Sequence, residues 1–346
     1  MELKLFPKKN YNIAAHLQMG GTEKKTLKKI IVEEKSKVKV FSHKAIYEFK
    51  LPPLKIFNFY FRFLDSIRRT KNDLLVLIDS SLLAPPILYN YKNTNKKLFS
   101  PIDDLYEIYT NNSEEKDMII AYYNMISAHF NKYINLFTNL CKKFNFCYLL
   151  EKEKNTFLEI LENRLNYYLK TYPKDKDIKK RPLRKSLRKI REKRQILDLH
   201  KAFFRSLYEK TRNLMEILKE NEKKLGNIFE NRNTDSLYLS LENLCKERAA
   251  EINKKRVAKE IEEKISEEDC FLATNFFYLS KFKPIVLLTK DVDLIELGTS
   301  LAKDPSTLVD SELLKNEAYL IFNCYENSCN NEKILSTVNV LKFRKA

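Results

Sequence analysis

Two unbroken aliphatic runs limit what this chain can fold into. "NDLLVLIDSS" (72–81) and "KPIVLLTK" (283–290) each place four or five apolar side chains in a row. A strand with one wet face alternates polar and apolar residues. A continuous run of this length, bounded by polar flanks, needs burial on both faces, the condition of a central strand in a parallel sheet covered by helices. Both runs lead into an aspartate, Asp79 directly and Asp291 just past the strand end. In open α/β sheets, ligands bind in the crevice beyond the carboxyl ends of the strands. The fold class is therefore α/β, with two acids at the edge where chemistry belongs.

The rest of the chain supplies helices and further strands. "LKIFNFYFRFLDSIRR" (54–69) and the stretch opened by Ser113, "SEEKDMIIAYYNMISAHFNKYINLFTNLCKKF", read as apolar-faced helices, the second with Ser113 as its cap. "NTFLEILENRLNYYLK" is a third, with Phe157, Ile160, Leu161 and Leu165 on one stripe. Between them, "FNFCYLLEK" (144–152) fits a short strand and a helix continuation equally well. "KIIVEE", "KVKVFS" and "AIYEFKL" read as N-terminal strands compatible with a hairpin, and "AYLIFNCYE" and "ILSTVNVLKF" as C-terminal strands. Tyr/Phe-rich stretches such as "IFNFYFRF" are core material before they are base-stacking platforms.

Residues 174–194 carry twelve Lys/Arg against three acids, a local excess of nine and half of the chain's net +18. Beyond Pro182, Leu183, Leu187, Ile190 and Leu197 recur at heptad-like spacing. Two long helices, roughly 182–224 and 235–266, are expected to pair as a basic helical hairpin of coiled-coil character. Arg184, Lys185, Arg188, Lys189, Arg191, Lys193 and Arg194 would form a phosphate-contacting ridge on it. The alternatives for this ridge are a solvated helix face or a contact for an acidic protein partner or a second copy. A basic balance of this size points first to a polyanion.

Composition excludes several chemistries. Four glycines in 346 residues leave no Gly-rich phosphate cradle and no dinucleotide fingerprint. Six scattered cysteines and four histidines offer no thiolate or imidazole zinc spacing. No run is long enough for a membrane span, and no apolar leader opens the chain, so the expectation is a reduced cytoplasmic setting without membrane attachment.

The helix that begins at Asp269 feeds the second buried strand, so Asp269 can face the same sheet edge as Asp79 and Asp291. Three converging acids repel one another unless a cation sits among them, and hard ions such as Mg2+ or Mn2+ prefer oxygen ligands. That arrangement suits phosphodiester cleavage. Taken singly, each acid also fits a plain structural role, as a helix cap or turn residue.

"LLVLIDSSLL", "EEDCFLATNFF" and "PIVLLTKDVDL" resemble the first, third and fourth acidic motifs of PIN-domain ribonucleases. The resemblance implies a three-layer α/β/α fold with a central parallel sheet. It would be built from 71–172 and 267–346, interrupted by the helical hairpin at 173–266 and preceded by a β-containing extension with a helix at 1–70. It further implies that Asp79, Asp269 and Asp291 are catalytic metal ligands and Asp293 an accessory acid of the metal site. Ser80 and Thr289 would steady the carboxylates or the attacking water. The family's second acid is matched best by Glu159, with Glu162, Glu247 and Glu251 as rivals; the long gap from Glu159 to Asp269 departs from the family pattern. The implied activity is metal-dependent endonucleolytic cleavage of RNA. A structure-specific DNA nuclease and a non-catalytic nucleic-acid-binding or assembly protein are the alternatives.

Overall fold

The structure, a computed structural model, describes residues 16–18, 24–34, 37–41, 46–50, 54–71, 73–82, 116–147, 158–159, 162–163, 166, 184–226, 232–260, 264–301, 313, 315–327 and 334–343. Nine strands are described: β1 His16–Gln18, β2 Lys24–Glu34, β3 Lys37–Phe41, β4 Ile46–Lys50, β5 Leu75–Ile78, β6 Phe146–Cys147, β7 Ile285–Thr289, β8 Ala318–Asn327 and β9 Ile334–Phe343. The α-helices among the described residues are α1 Ile56–Thr70, α2 Lys116–Phe144, α3 Arg184–Lys223, α4 Ser236–Val257, α5 Glu267–Leu279 and α6 Val292–Leu301.

Seven strands form one mixed sheet in the order β1-β2-β9-β8-β7-β5-β6, and β3 and β4 pair apart from it. β6, β5, β7 and β8 run parallel, whereas β8–β9, β9–β2 and β2–β1 are antiparallel. The two aliphatic runs are the central neighbours β5 and β7, in register from Leu75 opposite Ile285 to Ile78 opposite Leu288. Their unbroken apolar character has a direct cause. Val76, Ile78, Val286 and Leu288 enter one core with helices α1, α2 and α3. Leu75, Leu77, Ile285 and Leu287 enter a second core with α4, α5 and α6. Helices cover both faces of the sheet.

The chain leaves β5 for β6 on one side and returns to β7 on the other. The direction of winding thus reverses between β5 and β7, the topological switch point where a crevice opens at the strands' carboxyl ends.

The expected hairpin of 182–224 and 235–266 is corrected. α3 buries Phe203, Phe204, Leu207, Leu214, Met215 and Leu218 in the first core, against α2. α4 buries Tyr238, Leu241, Cys245, Ala249 and Ile252 in the second, against α5 and α6. The two helices therefore belong to opposite layers, because each has an apolar stripe that the sheet's flanking helices can cover. α5 is buried nearly all round, since α4 packs outside it and β7 lies inside.

Of the N-terminal strands, β3 and β4 make a hairpin apart from the main sheet, whereas β2 pairs along its length with β9 and joins it. "FNFCYLLEK" starts on the last residue of α2 and turns into the short strand β6, its remaining residues lying outside the described ones. Ser113, the expected cap of α2, lies outside the described residues. No helix among the described residues is long and apolar enough to cross a membrane.

Candidate active site at the sheet switch point

Asp79 follows β5 directly and is 8% exposed. Its backbone N–H donates to the carbonyl of Leu288 at 3.0 Å, continuing the β5–β7 ladder one step beyond the strand. Its Oδ2 accepts from Thr289 Oγ1 at 2.6 Å and from Ser81 Oγ. Thr289 is fully buried, and its Oγ1 accepts in turn from the Asp291 N–H at 2.8 Å. One hydroxyl thereby joins the ends of both strands to two of the predicted acids. Ser81 adds a second link, its Oγ accepting from the Lys290 N–H at 3.0 Å.

Asp291 opens α6. Its Oδ1 accepts from the Asp293 N–H at 2.9 Å, satisfying one of the amides that a helix start leaves unpaired. Asp269 stands in the first turn of α5, where Ser266 is the cap. The Asp269 N–H donates to Ser266 Oγ at 3.1 Å, while Oδ2 accepts from the Ser266 N–H at 2.9 Å and from Ser266 Oγ at 2.8 Å. Both bonds to the carboxylate fall on Oδ2, so Oδ1 accepts no hydrogen bond among the described residues. Burial pushes the Asp269 carboxyl up to about 7 against the Ser266 bonds, and the charges of Asp291 and Asp79 push in the same direction. The three acids are thus within electrostatic reach of one another.

Lys290, between Thr289 and Asp291, is half-buried with Nζ 5.8 Å from the centroid of the Tyr133 ring. Burial lowers its ammonium to about 7, opposed by the attraction of Asp79. Tyr133 comes from α2, and its hydroxyl donates to the Leu82 carbonyl at 2.7 Å. The ends of β5 and β7 therefore gather Asp79, Asp291, Lys290, the buried Thr289 hydroxyl and the half-buried Ser81 hydroxyl, with Asp269 in electrostatic reach of both acids. The chain gives no match to any protein-family model, curated protein or solved structure. The resemblance to PIN-domain ribonucleases rests on the motifs alone.

The donor set, carboxylate oxygens with neither imidazole nor thiolate, fits an oxygen-preferring divalent cation, and the open Oδ1 of Asp269 offers a ligand atom. As placed, however, no three Asp, Glu, His or Cys side chains among the described residues form a ready-made metal cluster. Each of the three aspartates has its own hydrogen-bonding task.

The remaining predicted residues fall elsewhere. Asp293 is held by Arg256, whose Nη2 donates to Asp293 Oδ1 at 2.7 Å and to Glu296 Oε2 at 2.6 Å. This ion pair, not the aspartate crevice, takes up the accessory acid. Glu159 and Glu162 are exposed residues in helical conformation, and Glu247 is exposed on α4. Glu251 pairs with Arg248 at 2.9 Å. The structure brings none of these four glutamates into a group with the aspartates among the described residues. Ser80 opens a 3-10 turn, Ser80–Leu82, but its side chain lies outside the described residues; Ser81 makes the bond expected of it. Arg184, Lys185, Arg188, Lys189, Arg191, Lys193 and Arg194 occupy the first turns of α3, and their side chains also lie outside the described residues.

Sequence reasoning missed Ser81, Lys290 and Arg256. The first two stand inside the quoted motifs, beside residues that were singled out. Arg256 carries no local signal, because its partners Asp293 and Glu296 lie 37 and 40 positions away.

Proposed function

We propose that the protein is a metal-dependent nuclease that cleaves RNA internally by hydrolysis, with water as nucleophile and Asp79, Asp269 and Asp291 as the acids that hold Mg2+ or Mn2+. The observation that carries this reading is the shared Thr289 hydroxyl. It ties Asp79 to the backbone of Asp291 across the switch point, with Asp269 near enough for its ionisation to respond to both. Bound there, the cation would lower the pKa of the attacking water and stabilise the leaving oxygen. Ser81 and Thr289 keep the Asp79 carboxylate oriented towards the strand ends. Lys290 brings to Asp79 an amine whose protonated form suits an anionic phosphate. RNA as substrate follows from the motif resemblance, and the basic start of α3 supports a polyanion.

A second reading, a non-catalytic nucleic-acid-binding protein, is favoured by one observation: all three aspartates already serve the fold, with two at helix starts and one tied to hydroxyls. Labelled single-stranded RNA incubated with Mn2+ or EDTA separates the two. The nuclease reading expects cleavage with Mn2+ that EDTA and Asp291→Asn both abolish. Binding without cleavage in any divalent metal sinks it.

A further inference from the structure

Two side chains near the end of α4 reach the two helix starts that carry Asp269 and Asp291. Asn253 grips the residue before the Ser266 cap on both of its backbone groups. Its Nδ2 donates to the Ile265 carbonyl at 3.1 Å, and its Oδ1 accepts from the Ile265 N–H at 2.8 Å. Ile265 is itself buried in the second core, and Ser266, next in the chain, holds Asp269 Oδ2. One turn further along α4, Arg256 is 8% exposed and bridges Asp293 and Glu296 in the first turns of α6. Asp293 in turn donates its N–H to Asp291 Oδ1.

We infer that α4 is the spacer of the site: Asn253 and Arg256 are positioning residues that set the distance between the Asp269 and Asp291 carboxylates, and so the fit of the divalent cation. The inference rests on the nuclease reading. It also explains why a buried guanidinium is spent on two acids at an outer-layer helix. A buried charge is retained where both partners are present, and removing one side leaves the other uncompensated. Groups that orient metal ligands typically change metal affinity by about 10–100-fold when removed.

Position and charge make opposite predictions for Arg256. Removing a cation from its contacts in the first turns of the helix that follows Asp291 should tighten Mn2+ binding if only the local field matters. If the residue positions α6, removal weakens it. The test is titration of the full-length chain with Mn2+ followed by electron paramagnetic resonance. Arg256→Gln and Asn253→Ala are compared with Arg248→Gln, which removes the same charge from the same helix at a pair with Glu251. The expectation is Mn2+ affinity about 10-fold or more weaker for the two spacer variants, near wild type for Arg248→Gln, and partly restored in Arg256→Lys. A second arm needs no metal. Hydrogen exchange of peptides covering 264–270 and 290–296 should accelerate in Asn253→Ala and Arg256→Gln respectively. Wild type binding Mn2+ while Arg256→Gln binds it equally or more tightly overturns the spacer, as does unchanged exchange in both peptides. Wild type binding no Mn2+ overturns the nuclease reading itself.

Discussion

The first turn of a helix favours an ionised carboxylate by about 0.3–1 kcal/mol, and Asp269 stands in such a turn with two Ser266 bonds on one oxygen. Its carboxyl is nonetheless pushed up to about 7, so burial beside Asp291 and Asp79 outweighs both effects. Because the folded state holds this proton more tightly than the unfolded chain, the linked stability is fully present below about pH 4. It is lost as pH rises through about 7. In EDTA, Asp269→Asn should therefore be the more stable protein at pH 8, and its advantage should shrink by about 2–3 kcal/mol on moving to pH 5. Urea unfolding at the two pH values measures this, and a difference that does not change with pH contradicts it. Saturating Mn2+ should narrow that advantage at pH 8, because only the wild type gains binding free energy, about 2.7 kcal/mol at 100 times Kd. Thr289 allows a second test at this scale. Thr289→Val keeps the shape but removes the donor to Asp79 and the acceptor for the Asp291 amide in a fully buried position. An unsatisfied buried group costs about 1–3 kcal/mol, so a loss of that size in urea unfolding is expected, together with weaker Mn2+ binding.

Among the elements, α3 separates a layer helix from a projecting hairpin arm. Leu207, Leu214 and Leu218 are each 0% exposed within the first core. Leu207→Ala, Leu214→Ala or Leu218→Ala should each cost about 2–5 kcal/mol, a range set by how far the cavity collapses. An arm outside the domain would lose its own pairing and leave cooperative unfolding of the sheet untouched. A separate early transition in such variants would mark α3 as an appendage. The aliphatic runs of β5 and β7 were legible because burial on both faces leaves one pattern, and their aspartates were legible because strand ends locate a crevice. The layer of α3 and α4 was not legible, since an amphipathic stripe states that a helix has a covered face without naming what covers it. Two long helices joined by a short turn then invite pairing with each other. Ser80 and Ser81 illustrate the same limit over one position: the sequence offers two hydroxyls beside Asp79, and in the fold Ser81 donates to its carboxylate.

On the scale of the whole molecule, residues 24–34 pair with 334–343, so strands from opposite ends of the sequence complete one sheet. No local pattern announces such a pairing, because strand alternation specifies a buried face and leaves the partner open. Charge, in contrast, is read directly from the sequence, and its net +18 makes a salt-dependent prediction. Half of that excess lies in 174–194, running into the first turns of α3, while the three acids lie at the β5–β7 edge. If the basic stretch carries substrate phosphates, every phosphate that it no longer neutralises should flatten the slope of log K against log salt by about 0.7 for a single strand. Replacing Arg184, Lys185, Arg188, Lys189, Arg191, Lys193 and Arg194 by glutamine should thus reduce the slope by about 2–5 and weaken binding of single-stranded RNA at low salt. Asp291→Asn should leave that slope unchanged while abolishing cleavage, since an acid at the sheet edge neutralises no phosphate of its own. Fluorescence anisotropy across a salt series reads both variants. A slope indifferent to the seven replacements would move the substrate path away from α3, whatever the aspartates do.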